Sequence, residues 1–417
     1  MSAIPPPHLT VTHQIPVLSF FTGGGLLDMG FEEAGFDIVW TNELDPGFAK
    51  LYSEGITSWR RKHKPSAPEA RISHIGNLLD ITPAEIARQA FPKGKPSLFG
   101  IIGGPPCQDF SIAGSRQGIE GERGKITPAY CQVINELQPA FFVFENVTGL
   151  LQKNHRAEFD KLRDAFNRHY ITDFAPLNAL DYGVPQSRER LLLIGLRRDL
   201  VQVPKSGLFS DAIPPIGWAN WKREQSHAGL RTQFQWPRVE ELEVRPAAPL
   251  NPQQLELCVS RCLHSEEDTS LPNACDRFKL YSAIPAKTPE GLVNNRSFKR
   301  LHRYRYSPTA CYGNNEVHLH PFENRRLSVR EVLRIQSVDD SYVLSEGPPL
   351  GSKFKMIGNG VPVALANGVA RTITRLLQEF CGFQQVSAPI GMSSPAHVSQ
   401  YTFKRPIDIN DEVLFDF

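Results

Sequence analysis

Four short polar clusters in this chain combine residue types able to attack, hold and orient a planar substrate. Cys107 stands in Gly103-Gly-Pro-Pro-Cys107-Gln, just past an apolar run and behind two prolines that stiffen the approach. A thiol where a following helix begins has its thiolate favoured by the backbone dipole, and the thiolate is the nucleophilic form. A buried structural cysteine is the competing reading for any single Cys. A phosphatase-type Cys-x5-Arg loop is excluded, because Ala113 occupies the arginine's place. Glu145 follows the apolar run Ala140 to Phe144. Partial burial there would favour its neutral, proton-donating form, whereas a salt-bridge partner is the plainer role. Gln186, Arg188 and Arg190 recur at period two beside the apolar stretch Leu191 to Leu196, which puts them on one face where the chain enters a strand. Two aligned guanidiniums imply a polar, planar target; exposed solubilising charge would explain one of them more readily than two.

A fourth cluster suggests a second ligand. The turn Phe21-Thr-Gly-Gly-Gly-Leu lets the backbone approach a bound molecule closely, and Glu43, about 20 residues on, can accept hydrogen bonds from ribose hydroxyls. Together they point to an adenosine-type cofactor. A dinucleotide fingerprint starting at Gly23 would need glycine where Asp28 stands, and no G-x-x-x-x-G-K-[ST] phosphate loop occurs there. Taken alone, the glycines fit a tight structural turn equally well, and Glu43 a solvated loop charge.

These clusters need elements to bring them together. Residues 15 to 200 alternate short β-branched and aromatic runs with amphipathic stretches, the pattern of βαβ units around a parallel sheet. Candidate strands are Pro16 to Phe21, Asp37 to Asn42, Leu98 to Gly103, Ala140 to Phe144 and Leu191 to Leu196. In such sheets ligands gather at the carboxyl edge, so the clusters that follow the first four strands should share that edge. Between about 200 and 325 the pattern gives way to Pro, Asn and Ser punctuation, with Trp218, Trp221 and Trp236 close together, which predicts a separate loop-rich domain. Helical periodicity returns at Ser328 to Gln336, where Ser328 and Glu331 fit a capping box, and at Val361 to Leu377. After Cys381 an irregular tail is expected.

Composition narrows the class. The chain has 417 residues, 41% hydrophobic and 22% charged, with a net charge of +2. This suits a globular protein with a sizeable core and gives no global basic field, so a nucleic-acid surface must come from local clustering. Residues 277 to 305 form such a cluster: eight Lys or Arg against Glu290, interleaved with Phe278, Tyr281, Phe298, His302 and Tyr304. A stretch of this kind suits phosphate contacts with base-edge readout, a solvated basic face being the alternative. Seven scattered cysteines without a secretory signal read as reduced thiols, and no run of roughly 18 apolar residues supports membrane insertion. A cytoplasmic location is expected. Cys258, Cys262, His264 and Cys275 match no strong zinc spacing, and no metal is expected.

In order along the chain, Phe21-Thr-Gly-Gly-Gly-Leu-Leu-Asp-Met-Gly-Phe, Asn42-Glu-Leu-Asp, Gly104-Pro-Pro-Cys-Gln-Asp-Phe-Ser111, Glu145-Asn-Val147, Gln186-Ser-Arg-Glu-Arg190, Arg326-Leu-Ser-Val-Arg-Glu331 with Arg334-Ile-Gln336, and Gly358-Asn-Gly-Val361 resemble the motifs of the DNA (cytosine-5)-methyltransferases of bacterial restriction-modification systems. The combination of Pro-Cys-Gln, Glu-Asn-Val and Gln-x-Arg-x-Arg is the specific part. The resemblance implies an α/β fold: a Rossmann-like S-adenosylmethionine-dependent methyltransferase sheet at 15–200, completed by a return segment at 326–380. It also implies a smaller, loop-rich target recognition domain at 201–325, leaving an N-terminal extension at 1–14 and a tail at 381–417.

The same resemblance implies catalysis by Cys107, Glu145, Arg188 and Arg190. Cys107 would add to C6 of a flipped-out cytosine, Glu145 would hold N3 and the exocyclic amine, and Arg190, helped by Arg188, would bind O2. Phe21, Gly23, Gly25, Glu43, Leu44, Asn77, Pro105 and Asn359 would form the S-adenosylmethionine site, with Glu43 on the ribose and Leu44 on the adenine. Gln108, Ser111, Arg296, Lys299, Arg300, Arg303 and Arg305 would contact double-stranded DNA. A monomer in the nucleoid, with a companion restriction endonuclease, is the implied setting. The chain departs from the family pattern at Leu26, where glycine is usual, at Ser19 and Asn77, where Asp is common, and at Gly360, where Ala is usual. Cofactor affinity is the property these changes bear on. The alternatives are a transfer-RNA cytosine methyltransferase, whose segment between the arginine motifs is usually shorter than the roughly 125 residues here, and a catalytically impaired DNA-binding regulator of the same fold.

Overall fold

All five apolar runs form strands of one sheet in the computed structural model. It describes residues 10–11, 14–106, 125–201, 217–241, 246–265, 268–295, 297–309, 312 and 317–385. In chain order the sheet strands are β1 (Ile15–Phe20), β2 (Phe36–Glu43), β3 (His74–Ile75), β4 (Gly100–Gly103), β5 (Phe141–Asn146), β6 (Tyr170–Asn178) and β7 (Glu189–Arg197). They lie in the order β3-β2-β1-β4-β5-β7-β6. The first five are parallel, whereas β7 runs antiparallel to both β5 and β6. The purely parallel pattern expected from the sequence therefore fails at its last strand. A buried apolar run reads the same in either direction, and only the partner strand sets its sense. Strand β6, which the sequence reading did not anticipate, supplies that second partner.

Helices cover both faces because the strands are apolar on both. On one face α1 (Leu26–Glu33) and α8 (Val363–Cys381) join Phe31, Leu365, Val369 and Ile373 to Val17, Phe141 and Ile194. On the other, α3 (Pro83–Ala90), α4 (Ile126–Leu137) and α5 (Arg156–Asn167) bring Ile86, Tyr130, Ile134, Phe159 and Phe166 against Leu18, Ile101 and Phe142. A third cluster joins the base of α1 to α2 (Pro46–His63), α6 (Val329–Ile335) and α7 (Leu350–Asn359) through Leu26, Tyr52, Leu333 and Ile357. The helix ends follow their sequence signals. Asp45 caps α2 by accepting from Gly47 and Phe48 N–H, with Pro46 in the first turn. Ser328 and Glu331 form the expected capping box on α6.

Between β7 and α6 the described chain is mostly irregular. It contains the short helices Leu230–Gln233 and Pro252–Glu256 and a parallel pair, β8 (Phe298–Arg300) with β9 (Val317–Leu319). Buried Asp173 anchors the start of this stretch by accepting from the N–H of Gly217 and Ala219 and from Trp221 Nε1. Thr10–Val11 pairs with Gln384–Gln385, so part of the expected tail is ordered as a strand. No helix among the described residues is long and apolar enough to cross a membrane.

Candidate active site

The parallel strands β1, β2, β4 and β5 deliver their polar clusters to one edge, and β7 enters from that edge because it runs the other way. Glu145 lies within β5 rather than just after it. It faces Leu192 across the antiparallel ladder, and Arg190, two residues from Leu192, falls on the same face as its diagonal neighbour. The outcome is an ion pair of 3.0 Å between Arg190 Nε and Glu145 Oε1, with both side chains largely buried. Burial raises the Glu145 carboxyl above the usual carboxylate range; Arg190, and Arg188 behind it, pull it back. Burial favours the protonated carboxyl and the two guanidiniums the carboxylate, and either form can hydrogen-bond a polar ring held beside it.

Gly104 leaves room for that carboxyl, since a side chain there would run into Glu145 Oε2. Asn146 Nδ2 donates to Pro105 O at 3.1 Å, fixing the chain that leads to the nucleophile position. Val147, Thr148, Ser187, Arg190 and Thr309 line a cavity of about 400 Å³ beside the pair. Thr309 reaches it because residues 305–309 are stitched onto the arginine motif: Ser187 N–H donates to Ser307 O, and Thr309 Oγ1 to Ser187 O at 2.7 Å.

Arg188 does not share this role. It is wholly buried, and its Nη2 donates to the carbonyls of Gly358 (2.7 Å) and Asn359 (3.3 Å). Gln186 is likewise buried, donating to Gln336 Oε1. The single face expected for Gln186, Arg188 and Arg190 is not formed, because the strand starts only at Glu189. Period two does not extend into the preceding loop, and the two earlier residues brace the returning C-terminal segment.

The glycine turn is built to receive a ligand. Phe21, Gly23 and Gly25 all take positive φ (56°, 54° and 75°), curling the chain before α1, and no atom lies within 4 Å of where a Gly23 side chain would point. Glu43 accepts from Gly23 N–H (2.8 Å) and Asp45 N–H (2.9 Å), which fixes its carboxylate and leaves further lone pairs for hydroxyl donors. Leu44 next to it is 65% exposed, an apolar surface suited to the face of a purine. Asn77 Oδ1 accepts from Leu79 N–H, and Asn359 is the exposed last residue of α7. Turn, carboxylate and apolar plate together fit an adenosyl group.

Two departures noted in the sequence have structural counterparts. Ser19 donates to Asp28 Oδ1 (2.6 Å) and Tyr52 to Asp28 Oδ2 (2.9 Å), so the carboxyl beneath the turn comes from α1 instead of β1. Burial pushes it up to about 6. Leu26 packs into space that Gly360 leaves open, since a Cβ at Gly360 would lie 2.8 Å from Leu26 Cδ2. Asp28 had registered in the sequence only as a broken glycine pattern; its place in the first turn of α1 was the available signal.

The chain matches the family model of C-5 cytosine-specific DNA methylases over residues 15–375. It belongs to that family. Among its relatives, the Type II methyltransferase M.NmeDI of Neisseria meningitidis serogroup C is 37% identical over 374 residues, covering 87% of this chain and 84% of the relative. M.MthTI of Methanothermobacter thermautotrophicus is 29% identical over 374 residues, covering 87% and 98%. The crystal structure of a putative DNA modification methyltransferase encoded within an Escherichia coli prophage superposes with a TM-score of 0.55 at 22% identity, covering 88% of this chain and all of that one, a likeness of fold. The protein is thus an S-adenosylmethionine-dependent DNA cytosine methyltransferase of the restriction-modification type.

The remaining assignments for this methylase divide. Cys107, Gln108, Ser111 and Arg296 lie outside the described residues. Of the expected DNA contacts, Arg300 is internal instead, and Arg303 and Arg305 are half-buried and held by the protein itself. Arg300 is buried and donates to the carbonyls of Pro285, Thr288, His320 and Glu323. Arg303 forks onto buried Glu290, and Arg305 donates to Pro237 O while lying over the Tyr306 ring. Guanidinium forks satisfy several carbonyls at once, so in a chain stretch short of regular structure they serve as braces. Lys299 sits partly buried in β8. Cys258 donates to Gln254 O, and His264 contacts Ser328 Oγ and Ser265 O. Among the described residues no group of three or more His, Cys, Asp or Glu is arranged to hold a metal ion.

Proposed function

We propose that this methylase transfers a methyl group to C5 of a cytosine flipped out of a specific duplex sequence, through a transient Cys107–C6 bond. The buried Glu145–Arg190 pair facing an open polar cavity carries this reading. Such a pair offers one carboxyl and one guanidinium at fixed spacing, matching N3 and the exocyclic amine on one side of a pyrimidine and O2 on the other. Only a base outside the stack can reach them. The Cys107 thiolate would add to C6 and leave electron density at C5, which forms the bond to the methyl group. Loss of the C5 proton and expulsion of the thiolate would then restore the ring. S-adenosylmethionine supplies the electrophilic methyl group when bound at the glycine turn, where Glu43 would take the ribose and Leu44 the adenine.

Residues 201–325 act in this reading as the target recognition domain, and 326–380 as the segment that completes the cofactor side. Exposed Lys279, Tyr281, Ile284 and Lys287 suit groove contact, taking the place of the braced arginines. We further place the protein as a cytoplasmic, nucleoid-associated monomer working beside an endonuclease of the same specificity. Duplexes carrying 5-fluorocytosine at the target test the mechanism: a gel-stable adduct is expected with the native chain and none with Cys107→Ala, which should still bind DNA. Turnover retained by Cys107→Ala overturns the covalent step. Label from tritiated cofactor entering only transfer RNA overturns the substrate, and DNA binding without any transfer favours an impaired regulator.

A further inference from the structure

The open cavity beside the Glu145–Arg190 pair is also lined by a residue from the irregular region, Arg231. Its side chain is about half exposed, at 47%, and its nearest acidic neighbour is Glu189, with Nη1 3.7 Å from an Oε1 that is itself 53% exposed. That separation is too long for a hydrogen bond, and both groups are hydrated, so the guanidinium is held near the cavity without being committed.

Its mount is firm, by contrast. Leu230 is buried in a small cluster with Leu180 and Leu257. Gly229 N–H approaches Asp181 Oδ1, His227 N–H donates to Asp181 O, and Trp236 Nε1 donates to Arg231 O. The turn Leu230–Gln233 is thereby fixed to the loop that precedes the arginine motif, while the Arg231 head is half exposed. A well-anchored backbone presenting a half-exposed guanidinium fork to a polar cavity that Thr148, Ser187 and Thr309 also line fits a tetrahedral anion better than a second ring.

We propose that Arg231 grips a backbone phosphate flanking the flipped cytosine, leaving Glu189 to do so. The inference rests on the DNA methyltransferase reading, in which this cavity receives the target nucleotide. A phosphate contact has a signature separate from catalysis. Each neutralised phosphate releases counterions, so Arg231→Ala should lower the slope of log affinity against log salt by about 0.9. It should also raise Kd for the target duplex roughly tenfold or more at low salt. Arg231→Lys keeps the charge and should keep the slope while binding less tightly. A duplex with a methylphosphonate at the linkage beside the target cytosine should bind the native chain and Arg231→Ala alike.

An unchanged salt slope in Arg231→Ala, with its melting temperature intact, overturns the proposal. So does an undiminished difference between the two chains on the methylphosphonate series at both flanking linkages. Failure of the native chain to methylate DNA would instead strike the underlying reading, and that control separates the two.

Discussion

Gly104→Ala tests the geometry of the reacting pocket with a single methyl group. The position has no left-handed φ, so the backbone accepts alanine without strain. The difficulty is local: the added Cβ would penetrate the contact shell of Glu145 Oε2, and the carboxyl would have to retreat by roughly 1 Å to restore ordinary contact. Its other oxygen is tied to Arg190 at 3.0 Å, so retreat means rotating the carboxyl away from that partner as well. A displacement of about 1 Å at a group that orients a reacting ring costs on the order of 10²-fold in rate. Single-turnover transfer of a tritiated methyl group should therefore slow about a hundredfold. Cofactor binding, which depends on the separate turn at Phe21–Gly25 and on Glu43, should hold. In a Glu145→Ala background the same glycine replacement should add nothing, because no carboxyl remains to displace. Native rates in Gly104→Ala, or a full additional loss on top of Glu145→Ala, would refute the argument.

Three further outcomes follow from the same contacts. Arg188→Ala removes the donor to Gly358 and Asn359 carbonyls and should weaken S-adenosylmethionine binding by roughly tenfold in calorimetric titration, charged hydrogen bonds contributing about 1.5–3 kcal/mol. Arg188→Lys should recover only part of that loss. The Asp28 carboxyl, at about 6 when folded against 3.8 as its ordinary value, takes up a proton on folding, so native stability falls as pH rises from about 4 to 6 and levels off above. Asp28→Asn cannot ionise; its stability relative to the native chain should climb through that window by about 3 kcal/mol and then stay constant, as read from urea melts. Gly360→Ala should destabilise by ~1–3 kcal/mol through overpacking on Leu26, yet cost almost nothing in a Leu26→Ala chain. Additive costs in that double-mutant cycle would show the two side chains to be independent.

The sheet was legible because its strands are buried on both faces and so read as unbroken apolar runs, as Phe141-Phe-Val-Phe144 does. Strand β6 escaped notice because its buried positions include Thr172 and Asp173 and it carries Pro176. Asp173 is held by four donors, the Phe174 N–H and three that the Gly217–Trp221 stretch provides, the latter a tertiary fact with no local sign. The Glu145–Arg190 meeting was within reach of the sequence, since each flanks an apolar run; the antiparallel sense that makes them diagonal neighbours was not. Counting charges misled at Arg300, which is buried. Arg300 and Arg303 look like surface cations in one dimension, and only the surrounding carbonyls and Glu290 show that they are structural.

The contacts to Gly24, Leu26, Gly358 and Asn359 share one seam, where the start of the sheet domain meets the last part of the chain. Tyr342 Oη donates to Gly24 O at 2.8 Å, Met356 packs so closely on Gly24 that a side chain there would touch its thioether, and Leu26 meets Gly360. On the catalytic side Arg188 reaches across to the same segment. The glycine turn is thus packed from behind by residues more than 300 positions away. In the proposed reading the cofactor and base sites both border the seam, so a defect there should loosen both together. A defect at Gly104 or Arg231, each beyond the seam, should be felt on the DNA side alone.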